Sequence, residues 1–275
     1  MALNWYADPA HEPFCFASGP VGALLIPGFM GTPKEMRPLG RALADAGVTA
    51  RGILLPGFGP DIANLGSIQA NDWLRIAGEA WEETLASHER AVLVGFSMGG
   101  AVALQLAARR PPARLVLLAP HWRFADRRAL ALPLVRHVMR SLSPFANADF
   151  ADPGVRQAMA EMAPDADLDD PAVQQQLRTQ SAIPTAALDE LRRVSAGGGH
   201  AARLVVAPTL IVQGHADGIV LPAHTRRLAL RVGGPLALHE VPGAGHLIVA
   251  DDRPAWSAVR DLVIQFATTA APADR

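Results

Sequence analysis

Residues 91–99 have the sequence AVLVGFSMG, in which an apolar run leads directly into a G-x-S-x-G pattern. The apolar run predicts a buried strand, and the small residues at 100–108 predict a helix directly after it. A serine, Ser97, is therefore expected at a tight strand-to-helix turn, which is the arrangement that exposes a nucleophile. Gly95 and Gly99 flank it because a Cβ atom at either position would collide with neighbouring backbone.

Apolar runs and helical segments alternate on both sides of this stretch. The predicted strands cover residues 21–26, 48–55, 91–94, 114–119, 209–213 and 236–241. The predicted helices cover residues 33–46, 71–87, 100–108 and 222–231, and a last helix begins near Asp252. Strands that alternate with helices predict an α/β fold with a mostly parallel sheet covered on both faces.

The first of these helices has a marked beginning. Thr32 is expected as its N-cap and Pro33 as its first helical residue. Glu35 stands three residues after Thr32, which is the position that completes a capping box.

The alternation stops between residues 121 and 200. This segment contains helical patches such as 130–139 and no convincing strand pattern, and residues 184–194 predict a helix that returns the chain to the sheet. Three consecutive glycines, at 197–199, predict a loop. We therefore expect a core domain formed by residues 1–120 and 201–275, with residues 121–200 inserted as a helical cap or lid.

A serine nucleophile needs a base, and that base needs an acid that fixes its tautomer. In hydrolases built on a strand-turn-helix serine, the chain order is Ser, then Asp or Glu, then His, with the last two after late strands. Asp217 follows the strand predicted at 209–213, and His246 lies in a glycine-rich loop after the last strand. Ser97, Asp217 and His246 are therefore the predicted catalytic residues.

Other residues compete for the roles of base and acid. His215 and His121 are alternative bases, although loop polarity or pocket lining explains them equally well. Asp251 and Asp252 are alternative acids, and we interpret them as caps of the last helix. Position in the chain favours His246 and Asp217, because only these two combine the expected order with loops that follow late strands.

The tetrahedral intermediate of acyl transfer needs two N–H donors aimed at its oxyanion. Met98 supplies one as the residue after the nucleophile, and Phe29, in the loop after the first predicted strand, is the candidate for the other. Pro27 and Gly28 in that loop are also compatible with a simple turn. The serine motif at the right distance downstream favours an oxyanion hole.

These motifs resemble the α/β-hydrolase superfamily, and within it the carboxylesterase and monoacylglycerol lipase group of small bacterial serine esterases. The similarity extends from about Val21 to Phe266. Its markers are residues 25–32 (LIPGFMGT), 55–59 (LPGFG), 72–73 (DW), 95–100 (GFSMGG), 213–220 (QGHADGIV) and 245–246 (GH). The group usually has histidine where this chain has Pro27 and Phe58, so the resemblance fixes substrate preference less firmly than reaction type.

The resemblance implies a serine carboxylesterase that hydrolyses short- to medium-chain carboxylic esters or monoacylglycerols through an acyl-enzyme on Ser97, without a metal or an organic cofactor. It also implies that the insertion is a small helical cap. The residues that we expect near the substrate are Pro27, Gly28, Phe58, His121, Leu142 and Phe145.

Two alternatives stay open at this point. The same triad serves thioesterases, acyltransferases, C–C bond hydrolases and perhydrolases, and a hydrolase fold can also act as a ligand-binding module without turnover. Dehalogenase and epoxide hydrolase chemistry is disfavoured, because those relatives use a carboxylate where this chain has Ser97.

Composition limits the partners and the compartment. The 25 Lys and Arg residues nearly balance 26 Asp and Glu residues, so no nucleic-acid surface is expected and a small neutral ester is the favoured partner. The lone cysteine, Cys15, excludes an intrachain disulfide and favours the cytoplasm. Residues 1–9 make a poor signal peptide, and no apolar run reaches the roughly 18 residues of a membrane span. We expect no stable membrane insertion, and a monomer or homodimer.

Overall fold

The computed structural model describes residues 6–162 and 166–269, which contain nine strands and nine α-helices. The strands are β1 (Phe14–Phe16), β2 (Val21–Ile26), β3 (Val48–Gly52), β4 (Arg90–Phe96), β5 (Arg114–Leu118), β6 (Ser141–Leu142), β7 (Ile183–Pro184), β8 (Thr209–Gly214) and β9 (Leu236–Val241). The helices are α1 (Pro33–Asp45), α2 (Ala70–Ser87), α3 (Met98–Arg109), α4 (Leu132–Val138), α5 (Pro153–Met162), α6 (Pro171–Gln180), α7 (Thr185–Ala201), α8 (Pro222–Ala229) and α9 (Trp256–Thr268).

Seven of these strands form one sheet in the order β1-β3-β2-β4-β5-β8-β9. Every neighbouring pair is parallel except β1 and β3, which run antiparallel at one edge. The predicted mostly parallel sheet is therefore confirmed. Sequence patterning missed β1, because a three-residue edge strand is too short to show a period.

Strand β4 lies at the centre of the sheet, between β2 and β5. Val92, Leu93 and Val94 are fully buried in it, as expected for a parallel strand covered on both faces. Burial of each such side chain stabilises the fold by about 1.5–3 kcal/mol. The carboxyl ends of these parallel strands share one sheet edge, so the loops after β2, β4, β5, β8 and β9 converge there.

The three glycines at 197–199 lie inside α7 instead of forming the predicted loop. A Cβ atom on Gly198 would lie 2.7 Å from the Cα and carbonyl oxygen of Ala101 in α3. The glycines therefore permit two helices to approach closely, and this packing outweighs their poor helix propensity.

The described residues form two compact units. The smaller comprises Arg127–Asp189, and the larger comprises the residues before and after it. The smaller unit contains a short 3-10 helix (Arg127–Ala131), α4, α5, α6 and the antiparallel pair β6 and β7. We expected no strand in this part of the chain, and these two-residue strands are too short to leave a sequence pattern. The predicted domain limits at residues 121 and 200 stay a prediction.

Among the described residues, none of the helices combines the length and the apolar character that crossing a membrane requires.

Candidate active site

Ser97 stands between β4 and α3 with φ 51° and ψ −117°, a strained conformation for a residue with a side chain. Its amide donates a hydrogen bond to the Leu118 carbonyl at 2.8 Å. A Cβ atom on Gly95 would lie 2.3 Å from the Gly99 carbonyl oxygen, and one on Gly99 would lie 2.3 Å from that of Ile26. The expected need for glycine at both positions is therefore confirmed.

The structure brings Ser97, His246 and Asp217 together although they are far apart in the chain. His246 Nε2 lies 3.1 Å from Ser97 Oγ, and His246 Nδ1 lies 2.8 Å from Asp217 Oδ2. All three residues are buried. This geometry lets the serine hydroxyl donate to the imidazole while the carboxylate accepts from the opposite ring nitrogen, which is the arrangement that activates a serine.

The Asp217 carboxylate is held by four hydrogen bonds. Oδ1 accepts from the amides of Ile219 and Val220, both at 2.8 Å. Oδ2 accepts from His246 and from Gln213 Nε2, the latter at 2.9 Å. These bonds fix the direction in which the carboxylate faces His246.

Gln213 is a functional neighbour that sequence reasoning did not identify. It is fully buried in β8, and its Oε1 accepts from Thr225 Oγ1 at 2.5 Å. The available signal was a buried amide at the end of a strand, four residues before Asp217.

One predicted oxyanion donor directly follows Ser97, and the other lies in the loop after β2. Met98 is the first residue of α3, where the helix dipole favours negative charge, and Phe29 follows β2. Within the described residues we find no hydrogen-bond partner for either amide. A Cβ atom on Gly28 would lie 3.4 Å from Ser97 Cβ, so the Phe29 loop runs directly beside the serine. The donor roles of Phe29 and Met98 stay predictions.

Glu35 does not complete a capping box, so that expectation was wrong. Its Oε1 accepts the Gly28 amide at 2.5 Å, and Thr32 makes no side-chain cap. The Thr32 hydroxyl instead lies 2.8 Å from His11 Nδ1. Burial raises the pKa of the Glu35 carboxyl to about 7, and the hydrogen bond from Gly28 acts in the opposite direction.

Phe58 lies in an aromatic cluster with Phe29 and Trp73. Its ring centroid is 5.7 Å from that of Phe29 and 5.6 Å from that of Trp73. Trp73 Nε1 donates to the Pro56 carbonyl at 3.0 Å. Phe58 and Trp73 are both fully buried, so Phe58 supports Phe29 from within the core. Its predicted place in the substrate pocket stays a prediction.

His121 is tied to the nucleophile through its backbone. Its amide donates to the Ser97 carbonyl at 2.9 Å, and its Nδ1 lies 2.8 Å from Ser195 Oγ. Burial lowers the pKa of His121 to about 4, with further lowering from the nearby His246 and His224. The imidazole is therefore neutral at pH 7 and can donate or accept one hydrogen bond without adding charge.

The alternative bases and acids have other environments. His215 lies at the surface, 3.5 Å from Glu240. Asp251 and Asp252 are exposed, and α9 begins at Trp256 with Ala255 as its N-cap, so neither aspartate caps that helix as we had expected.

The remaining pocket candidates lie in two places. Pro27 and Gly28 follow β2 in the larger unit, and the Pro27 carbonyl packs against Gly99 at the turn that holds Ser97. Leu142 and Phe145 lie in the smaller unit, where Leu142 is exposed and Phe145 lines a cavity of about 470 Å³.

Comparisons with known proteins agree with this fold. A solved structure reported for LipS and LipT, two metagenome-derived lipolytic enzymes, superposes with a TM-score of 0.77 at 22% identity, covering 94% of this chain and 98% of that one. A monoacylglycerol lipase from Paleococcus ferrophilus gives a TM-score of 0.70 at 20% identity, covering 93% and 97%. The predicted α/β-hydrolase fold is confirmed.

Sequence relatives match a shorter part of the chain. A thermostable monoacylglycerol lipase from Bacillus sp. (strain H-257) is 38% identical over 100 residues, which is 36% of this chain and 40% of the lipase. The chain therefore spans about two fifths of the length of this relative. The predicted resemblance to the esterase and monoacylglycerol lipase group is confirmed. The model of the family described as serine aminopeptidase, S33, matches residues 23–253, and the chain belongs to that family.

Proposed function

We propose that this protein is a serine carboxylesterase that hydrolyses short- to medium-chain carboxylic esters or monoacylglycerols. The observation that carries the proposal is the hydrogen-bonded chain from Ser97 through His246 to Asp217, on a strained strand-to-helix turn. A buried serine, imidazole and carboxylate in this order are suited to nucleophilic acyl transfer.

In the acylation half of the proposed reaction, Ser97 Oγ attacks the ester carbonyl carbon and its proton passes to His246 Nε2. The carbonyl oxygen takes the negative charge and accepts from the Phe29 and Met98 amides. Asp217 stabilises the imidazolium by accepting from Nδ1. When the C–O bond breaks, the alcohol leaves with the proton from Nε2, and the acyl group stays on Ser97.

In the deacylation half, a water molecule attacks the acyl carbon and gives one proton to His246 Nε2. The second tetrahedral intermediate uses the same two amides. It collapses with transfer of that proton to Ser97 Oγ, which releases the carboxylic acid and restores the free serine. Each step uses side chains and backbone groups of this chain.

The substrate class rests on the site's surroundings and on the relatives. Phe29 belongs to the loop that runs beside Ser97 and carries an apolar ring packed on Phe58 and Trp73, and burial keeps the nearby His121 neutral. Both features suit an uncharged ester. The Bacillus sp. relative is named a monoacylglycerol lipase, and a carboxylesterase from Bacillus subtilis (strain 168) is 30% identical over 101 residues.

A fluorophosphonate probe tests the nucleophile. We expect wild-type protein and Ser87→Ala, a matched variant of an exposed serine in α2, to label equally. Ser97→Ala should not label and should lose ester turnover. Equal labelling of Ser97→Ala and wild type would refute the assignment.

A substrate panel tests the bond that is cleaved. The panel contains p-nitrophenyl esters of increasing acyl length, 1- and 2-monoacylglycerols, an acyl thioester and an aminoacyl amide. We expect the highest kcat/KM for esters. Faster turnover of the thioester or the amide would assign the same triad to a different reaction.

We further propose that residues 121–200 form a cap and that the protein acts in the cytoplasm as a monomer or homodimer. The single cysteine, Cys15, supports the location. Size-exclusion chromatography with light scattering would measure the oligomeric state.

A further inference from the structure

The loop that follows β2 is held by hydrogen bonds to both the amide and the carbonyl of Gly28. Residues 27–31 (PGFMG) connect β2 to the start of α1, and Phe29 lies at their centre. The Gly31 amide donates to the Gly28 carbonyl at 3.1 Å, and Met30 has φ 60°, in the left-handed region. A non-glycine residue in this region is strained, so the surrounding contacts must hold the turn in place.

The two peptide planes on either side of the Gly28 Cα are both anchored. The Gly28 carbonyl and the Phe29 N–H belong to one planar peptide group and point in opposite directions. The bond from Gly31 to the Gly28 carbonyl therefore restrains the direction of the Phe29 N–H, which also depends on how the preceding peptide plane is held. The Gly28 N–H belongs to the preceding plane, and the Glu35 carboxyl holds that plane.

The Glu35 carboxyl fits closely beneath this turn. A Cβ atom on Gly31 would lie 2.2 Å from Glu35 Oε1 and 2.7 Å from Oε2, so only glycine leaves room for the carboxyl. A Cβ on Gly28 would lie 3.5 Å from Glu35 Oε1 and 3.4 Å from Ser97 Cβ. Gly28 therefore lies within contact distance of both the Glu35 carboxyl and the serine.

We propose that Glu35 is a positioning residue for the oxyanion hole, and that its carboxyl oxygen orients the Phe29 amide by accepting the Gly28 N–H. This inference rests on the proposed function, because it assigns the Phe29 amide to the oxyanion. Glu35 acts through the backbone of the loop and does not touch the substrate. Its acceptor oxygen is what matters, so a neutral amide oxygen in the same place performs the same task.

Two substitutions of similar length separate the acceptor from the rest of the side chain. Glu35→Gln keeps an oxygen that can accept the Gly28 N–H, whereas Glu35→Met fills similar space without a strong acceptor. The readouts are kcat and KM for p-nitrophenyl butyrate, and the Ki of an alkyl trifluoromethyl ketone, which forms a hemiketal oxyanion with an active serine. Circular dichroism verifies that each variant is folded.

We expect Glu35→Met to lose roughly 10- to 100-fold in kcat, because a misaligned donor costs less than the full loss of one. Its KM should change by less than about threefold, since the ground state makes little use of this amide. The trifluoromethyl ketone should bind more weakly by a factor similar to the loss in kcat. Glu35→Gln should retain kcat and inhibitor affinity within about threefold of wild type.

Two results would overturn the proposal. One is a folded Glu35→Met variant with wild-type kcat and inhibitor affinity. The other is an equal loss in Glu35→Gln and Glu35→Met, which would show that the charge, and not the acceptor oxygen, is required. Failure of the proposed function is a different outcome, in which wild-type protein does not turn over any ester or the Ser97→Ala variant retains full turnover.

Discussion

Two carboxyl groups support the site of Ser97 through different neighbours, Asp217 through His246 and Glu35 through Gly28, and they are held in different ways. Asp217 accepts two backbone amides, the Gln213 amide and the His246 imidazole. Glu35 accepts the Gly28 amide, and burial raises the pKa of its carboxyl to about 7. The first group accepts four hydrogen bonds, and the second accepts the Gly28 amide with a pKa near neutral pH.

This difference matches the tasks that we assign to the two groups. The acid of a triad must stay ionised in order to stabilise the imidazolium. A carboxyl beside the oxyanion hole has the opposite requirement, because a full negative charge there would oppose the oxyanion. A neutral Glu35 accepts the Gly28 amide without that repulsion.

The largest expected effect comes from removing the charge of Asp217. Asp217→Asn should lower kcat by a factor on the order of 10⁴, because the amide stabilises the wrong tautomer of His246 and cannot stabilise the imidazolium. Steady-state kinetics with p-nitrophenyl butyrate measures the loss. The control is Asp261→Asn, an exposed aspartate paired with Arg260, which should keep wild-type kcat. A loss below tenfold in Asp217→Asn would transfer the acid role to another carboxylate.

A smaller effect is expected from a methyl group at Gly31. The Cβ of Gly31→Ala would displace the end of the Glu35 side chain and break its bond to Gly28. We expect a loss of roughly 10- to 100-fold in kcat, similar to that of Glu35→Met. The double variant, Gly31→Ala with Glu35→Met, should lose no more kcat than either single variant, because both changes remove the same contact.

The control for this substitution is Gly78→Ala in α2. A Cβ atom at Gly78 has its nearest neighbour at 3.6 Å, an ordinary contact, so kcat should not change. If the losses in kcat add in the Gly31→Ala and Glu35→Met double variant, the two residues act independently. That result would contradict the role we assign to the bond between Glu35 and Gly28.

The role of Asp217 could be predicted from the sequence, whereas the contact of Glu35 with the loop after β2 could not. Asp217 and His246 follow late strands, and the carboxyl ends of parallel strands meet at one edge, so chain order alone indicates that they converge with Ser97. Glu35 occupies a capping-box position, and the sequence pattern is the same whether its carboxyl turns to Thr32 or to Gly28. Only the tertiary packing of the loop decides between them.

Long-range packing also explains the other differences. The glycines at 197–199 indicate a loop when only local propensity is considered, yet the neighbouring α3 requires small residues in a helix there. Gln213 belongs to an apolar strand pattern that marks burial, but burial alone does not reveal that its amide faces Asp217. In each case the deciding partner is far away in the sequence.

Gln213→Leu should show a smaller effect on catalysis than Gly31→Ala. The change removes one of the four donors to Asp217 and leaves the Thr225 hydroxyl without its acceptor. We expect about 1–3 kcal/mol of lost stability in urea unfolding. We also expect a loss of about tenfold in kcat, equivalent to 1.4 kcal/mol. The matched control is Gln105→Leu, whose amide bonds to the Val194 carbonyl; it should lose stability but keep kcat.

The smallest expected effect is on stability as a function of pH. The folded pKa of Glu35 is raised from 4.5 to about 7, so between these values the folded protein binds more protons than the unfolded chain. The contribution of Glu35 to stability is therefore fully present below about pH 4.5 and is lost as pH rises toward 7. Glu35→Gln removes this dependence, and its advantage over wild type should grow by about 2 kcal/mol from pH 5 to pH 8.

Glu240→Gln provides the contrast of opposite sign. The hydrogen bond from Arg226 lowers the pKa of the Glu240 carboxyl, so its contribution is present at neutral pH and lost as pH falls through the folded pKa. Urea unfolding of the three proteins at pH 3, 4, 5, 6, 7 and 8 separates the two behaviours, because the Glu240 effect lies below about pH 4.5 and the Glu35 effect above it. A difference between Glu35→Gln and wild type that stays constant over this range would contradict a buried carboxyl that changes its charge. Glu35 would then carry its charge throughout, as Asp217 must for catalysis, and the contrast between the two carboxyls would disappear.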